Sequence, residues 1–181
     1  MSDEILTDTH LFFYSGRTIY SNWHETPRQF QDPLNNGLTF NSSEVAFMWW
    51  KAVFFQDHAV ATALEQAGMD SRNAKQLGRH IRGYNDKAWE CVRLGYMQYV
   101  LLLKFSQNPE WAAQLKATGD RILIEASPTD RIWGVGFDVE AAAAMAKRQM
   151  LTCSATEIAW AGRNLLGQAL MTVRGLLTEN P

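Results

Sequence analysis

The run S-S-E-V-A-F-M-W-W-K-A-V-F-F-Q, from Ser42 to Gln56, restricts the fold of this chain more than any other segment. Apart from the leading serines and the terminal Gln56, its only polar residues are Glu44 and Lys51. The rest is Val, Ala, Phe, Met and Trp on all sides of a helix, which demands burial on most faces. Ser42 or Ser43 is the expected cap. Glu44 and Lys51 stand at i, i+7, which returns them to one face about 20° apart and roughly 10 Å along the axis. A buried carboxylate and a buried ammonium are each costly unless paired or used. That separation is too long for an intimate pair but suits a ligand gripped between them. The ordinary alternatives are an acid in the first helical turn, favoured by the dipole, and a snorkelling lysine.

The chain has 181 residues, 46% hydrophobic and 20% charged, which suits one globular domain and excludes disordered, collagen-like and coiled-coil chains. Formal charge is −2. It is unevenly spread: residues 72–104 carry seven Lys/Arg against Asp86 and Glu90, whereas residues 1–71 sum to −6. A basic block in an otherwise acidic-to-neutral chain points to a local phosphate site rather than a general nucleic-acid surface; a solvated basic helix face is the equal alternative. Cys91 and Cys153, without a C-x-x-C pair, are expected to be reduced and buried in a cytoplasmic protein. The acidic N-terminus has no apolar core that would make it a leader peptide, and Val100–Leu103 is too short to cross a membrane. The four histidines lack metal-ligand spacing, so no metal is expected.

Short strands are expected at Leu11–Tyr14, Thr18–Tyr20 and Leu38–Phe40, with a turn-rich stretch at 22–36 between the last two. Helices are expected at about 57–67, 71–80 and 86–106, then after Asn108-Pro109 up to Gly119. Arg121–Ala126 alternates like a strand, Asp138 caps an alanine-rich helix, and a final helix covers about 164–177. These elements predict a helix-dominated α+β fold with a small β-sheet. The whole chain, 1–181, reads as a single domain with its core at about 11–178.

Three further clusters carry chemistry. In S-P-T-D-R-I-W-G-V-G, Asp130, Trp133, Gly134 and Gly136 follow a strand on a loop where backbone and an aromatic plane can approach a ligand. An Asx-turn beside a core Trp is the plainer reading. In L-G-R-H-I-R-G, Arg79 and Arg82 are suited to anions. Trp89 begins the long helix as either a stacking ring or core. Asn164, in A-G-R-N-L-L-G, stands at a helix start, where backbone donors and an amide can meet a ligand.

Read in order, these pieces resemble the NADAR (YbiA-like) family. The matching motifs are Y-S-N-W, S-S-E with a lysine seven residues after the Glu, A-K-x-L-G-R, W-E-x-x-R-x-x-x-M, K-F-x-Q-N, T-G-D-x-x-L-I-E-A-S-P-x-D-x-x-W-G-V-G and G-R-N-L-L-G-x-x-L-M-x-V-R. They cover about 90% of the chain. Three features depart from the family pattern: Val45 stands where His is common, Arg163 replaces a lysine, and the segment from Asp138 to Trp160 is longer than in compact members.

The resemblance implies an N-glycosidase without cofactor, acting on a riboflavin-pathway intermediate at the bond between ribosyl phosphate and pyrimidine amine. Removal of ADP-ribose from guanine in nucleic acid is the alternative within the family, and a non-catalytic ADP-ribose or nucleotide-binding module is the alternative outside enzymes. Active-site roles are implied for Glu44, Lys51, Trp89, Asp130 and Trp133, with Ser21, Asn22, Arg79, Gly134, Gly136 and Asn164 shaping the pocket. Cleaving such a bond builds positive charge on the sugar and requires a protonated leaving nitrogen. Glu44 is the first choice for that proton and Asp130 the second. Lys51 is placed as a nucleophile or as a ribose or phosphate ligand, Trp89 and Trp133 as stacking rings, and Arg79 as the phosphate ligand.

Overall fold

The computed structural model describes residues 2–179. The chain forms two compact units, one of Met1–Ser21 with Ala112–Pro181 and one of Asn22–Trp111.

In the Asn22–Trp111 unit, the hairpin β3 (Phe30–Asp32) and β4 (Leu38–Phe40) precedes α1 (Ser43–Phe54), α2 (His58–Leu64), α3 (Ser71–Arg79) and α4 (Asp86–Ser106). Each helix starts on a side-chain cap: Ser42, Asp57, Asp70 and Asn85 accept from a backbone N–H three residues ahead. Helix α1 is the hub and packs on α2, α3, α4 and β4. Seven consecutive residues, Ser43 to Trp49, are buried, as the apolar run requires. Helix α3 comes this close because it has Gly78 at the crossing; a Cβ there would overlap the Met48 side chain.

The Asp32 carboxylate, 0% exposed, ties the hairpin to two helices. It accepts from Leu34 N (3.0 Å), Asn35 Nδ2 (2.9 Å), Trp50 Nε1 (3.0 Å) and the Tyr99 hydroxyl (2.7 Å). A buried charge with this many donors is tolerated, and removing it strands them.

In the other unit, β2 (His10–Phe13) is central to a three-stranded sheet, antiparallel to β1 (Glu4–Leu6) and parallel to β5 (Ile122–Glu125). Its register pairs Leu11 with Leu123 and Phe12 with Ile124. Helix α6 (Val139–Gln149) packs on β1 and β2, and α7 (Leu165–Glu179) packs on β5. Phe12, Ile124, Val135, Val139, Ala142 and Ile158 are among the buried residues of its core. Helix α5 (Pro109–Ala117) begins on the proline that marks it in the sequence.

The fold is the expected helix-dominated α+β arrangement. It differs from expectation at several places. Thr18–Tyr20 is turn rather than strand, while β1 and β3 form where no strand was expected. Strand β3 lies in the stretch read as turns, because Phe30 is buried against Phe40 across the hairpin. Cys91 is exposed and Cys153 partly so, rather than buried. The basic block is not one surface, since Arg93 and Lys104 are buried. Among the described residues no helix is long and apolar enough to cross a membrane.

Replacing Asp32 with Ala is expected to cost about 3 kcal/mol in urea-induced unfolding, because Trp50 and Tyr99 lose a shared acceptor. An unchanged midpoint would mean that the carboxylate does not hold the unit together.

Candidate functional site

Helix α1 presents both charged residues of the apolar run. Glu44 is 4% exposed, and its backbone N–H donates to the Asn22 carbonyl at 3.0 Å, which fixes the first turn of α1 to the segment before the hairpin. Around that turn, Asn22 Oδ1 and Ser43 Oγ are buried polar atoms without a hydrogen-bond partner.

Two turns on, Lys51 is half-buried. Its Nζ donates to the Gly78 carbonyl at 2.8 Å and sits 4.2 Å from the centre of the Tyr84 ring. The Gly78 contact follows from the close α1–α3 approach that the missing Cβ allows. Burial pushes the Lys51 ammonium below its ordinary pKa of 10.5, opposed by the negative charge of Glu44 and reinforced by the positive charge of Arg93. This environment favours a neutral amine more than solvent does.

Trp89, 4% exposed, is packed within an aromatic cluster. Phe47, Phe54 and Phe55 of α1 and its C-cap lie 5.3, 5.6 and 6.1 Å from it, centre to centre, and Tyr96 stacks on it at 5.5 Å and 21°. The ring is therefore held against the helix that carries Glu44 and Lys51. Arg79 lies exposed in the last turn of α3. Arg82, expected as an anion ligand, is committed instead: its backbone N–H, Nε and Nη2 all donate to the buried Asp57 carboxylate, at 2.9, 3.3 and 3.0 Å.

In the other unit, the loop after β5 is organised by Asp130. Its Oδ1 accepts from the backbone N–H groups of Ile132 and Trp133, both at 2.8 Å, so the Asx-turn reading holds for this oxygen. The turn aims the half-buried Trp133. Gly134 follows where no side chain fits: a Cβ would lie 2.8 Å from Ser127 Cβ and 2.9 Å from the carbonyls of Asp130 and Glu125. Gly136 donates its N–H to the Ser127 carbonyl at 3.0 Å. Asn164, at the start of α7, clamps β5 with both ends of its amide: Oδ1 accepts from Glu125 N at 3.0 Å and Nδ2 donates to Leu123 O at 2.8 Å. Ser21 is buried and donates its backbone N–H to Thr18 O at 3.1 Å.

Within the Asn22–Trp111 unit the structure thus places Asn22, Glu44, Lys51 and Trp89 on or against α1. Within the other it joins Asp130, Trp133, Gly134 and Asn164 through β5 and its loop. The residue that sequence reasoning passed over is Arg93, inside the quoted W-E-x-x-R motif but given no role. Its position four residues after Trp89, on the buried stripe of a helix, was the available signal.

Comparison with known proteins gives one consistent result. The model of the NADAR domain matches residues 12–178. An N-glycosidase of Acanthamoeba polyphaga mimivirus is 31% identical over 176 residues, covering 93% of this chain and 96% of that protein. A riboflavin biosynthesis protein of Vibrio vulnificus is 29% identical over 177 residues, covering 90% of this chain but 41% of that longer protein. The NMR structure of the E. coli protein YbiA superposes with a TM-score of 0.70 at 25% identity, covering 98% of this chain and 89% of that one.

The Arg82 contacts hold the Asp57 carboxyl down, to about 2 from its ordinary 3.8. A depressed carboxyl contributes stability that is complete above the unfolded-state value and fades as pH falls from about 4 to about 2. Arg82→Met is expected to remove that component, so acid unfolding in this window becomes less steep. Parallel acid titrations of variant and parent by circular dichroism check it.

Proposed function

Because the chain belongs to the NADAR domain family, we propose that it is an N-glycosidase that hydrolyses the bond between a phosphorylated ribose and the exocyclic amine of a pyrimidine. The N-glycosidase name of the mimivirus relative and the riboflavin biosynthesis name of the Vibrio relative support the reaction and the substrate class. The single observation that carries the reading is the pairing, on one buried helix, of a carboxylate and a lysine whose burial favours its neutral form.

The chemistry assigns Glu44, in its protonated form, as the donor to the leaving nitrogen, so that the amine departs neutral as positive charge develops at the anomeric carbon. Two routes share this step. In the covalent route, neutral Lys51 attacks the anomeric carbon as the C–N bond breaks. The sugar ring opens to an iminium on Lys51, and water, deprotonated by Glu44, then releases the sugar phosphate and restores both groups. In the direct route, water activated by the same carboxylate attacks instead, and Lys51 binds the sugar. Trp89 serves as an aromatic support packed on the helix of Glu44 and Lys51. Asp130 aims Trp133, and Gly134, Gly136 and Asn164 hold that loop. Asn22 shapes the entry to α1, and Arg79 is exposed in the last turn of α3.

Glu44→Gln is expected to lower turnover by about 10²- to 10⁴-fold while ligand affinity stays within about tenfold. Full activity in that variant, assayed on ribosyl-phosphate pyrimidine amines, removes Glu44 from the mechanism. A panel that also offers ADP-ribosylated guanine in oligonucleotides separates the substrate classes: exclusive turnover of the oligonucleotide overturns the pyrimidine reading. Borohydride should trap a sugar adduct on Lys51, read by mass spectrometry, if the covalent route operates. That route needs a neutral amine, so modification of Lys51 by an amine-selective acylating reagent is expected to rise with pH through a titration below 10.5, the ordinary lysine value.

A further inference from the structure

Helix α4 carries two buried cations, Arg93 and Lys104, among otherwise apolar buried residues. Trp89, Arg93 and Met97 follow one another at four-residue steps, and all three are buried. The Arg93 side chain is 5% exposed. A guanidinium taken out of water is costly unless hydrogen bonds meet its donors.

At Nε that bond is missing. Nη2 has the carboxylates of Asp86 at 3.6 Å and Glu90 at 3.9 Å as ionic neighbours, both beyond hydrogen-bond reach. Both acids are solvated, with side chains 67% and 45% exposed. Nε is buried and meets no acceptor. Nε and Nη2 together form the side-on edge of the guanidinium, the fork that takes two oxygens of one phosphate or carboxylate. No group of the unit occupies that fork bidentately. Arg93 also adds its charge to that of Lys51 across the α1–α4 contact, where the two repel.

We propose that the Nε–Nη2 edge of Arg93 is the phosphoryl-binding group of the site, taking two oxygens of the phosphate borne by the sugar. The inference rests on the N-glycosidase reading and deepens it, since it supplies the residue that makes a phosphorylated ribose the preferred substrate. Asp86 and Glu90 hold the guanidinium loosely from the solvent side, and a phosphoryl oxygen at hydrogen-bond distance displaces them. Arg79, exposed in the last turn of α3, is then not the principal phosphate ligand.

Calorimetric titration of the full chain with ribose, ribose 5-phosphate and ADP-ribose tests this without turnover. The parent protein should bind ribose 5-phosphate or ADP-ribose about 10- to 100-fold more tightly than ribose. Arg93→Met should abolish that preference. Arg93→Lys, which keeps the charge without the fork, should retain only part of it and serves as the test if the methionine variant does not fold. Asp86→Asn and Glu90→Gln should leave the preference intact or strengthen it. A preference confined to ADP-ribose identifies a diphosphate as the source of the oxygens, and one shared by ribose 5-phosphate identifies a monoester. The proposal is overturned if the parent shows no preference, if both folded Arg93 variants keep it in full, or if Arg79→Met alone removes it. It is also overturned if the Asp86 or Glu90 variants lose the preference as completely as Arg93→Met. Failure of the N-glycosidase reading looks different: no substrate is turned over, yet the preference still depends on Arg93.

Discussion

Burial of α1 on nearly every side is the constraint from which the rest of the Asn22–Trp111 unit follows. A helix with Phe, Met and Trp around its whole circumference needs neighbours in several directions, and α2, α3, α4 and β4 supply them. Two charges are carried into that interior with it. Lys51 is met by the Gly78 carbonyl of α3, and the Asn22 carbonyl anchors the backbone of the turn that carries Glu44. The stability cost of the two charges has its origin in removal from water.

Much of this was legible in the sequence because helices announce themselves locally. Ser42, Asp57, Asp70, Asn85 and Asp138 all cap helices in the structure, and each begins a periodic segment. The short strands were harder. Three-residue strands such as Glu4–Leu6 and Phe30–Asp32 have no local signature strong enough to outweigh neighbouring prolines and polar residues, and exist because a partner strand pairs with them. Thr18–Tyr20 has β-favouring residues but no partner strand. Of the site, Glu44 and Lys51 stood out by polarity against an apolar run. Arg82 could not be separated from Arg79 by composition, because its commitment to Asp57 is a contact between residues 25 apart in the chain. Arg93 was hidden for a related reason: in a basic block every cation looks solvated until burial is known.

The two units differ in the kinds of group they hold. Asn22–Trp111 supplies charge, with a carboxylate, an amine and a guanidinium on two packed helices lined by aromatic rings. The other unit supplies shape: a turn locked by Asp130, a glycine that admits no Cβ, and an asparagine that fastens α7 to β5. Its loop is held almost wholly by backbone donors and acceptors, so its form depends less on the identity of exposed side chains.

The parallel pairing of β2 with β5 has a consequence for how the chain reaches its native state. Leu11 and Leu123 are direct partners, so the central strand pair of the sheet cannot close until 111 intervening residues have been traversed. The whole Asn22–Trp111 unit lies within that excursion. Its helices and hairpin are built from contacts of short sequence separation, whereas the sheet carries the entropic burden of a long closed loop. Synthesis from the N-terminus therefore leaves β1 and β2 as an open hairpin edge until β5 emerges, and Leu11, Phe12 and Phe13 are the residues that need protection in the interval.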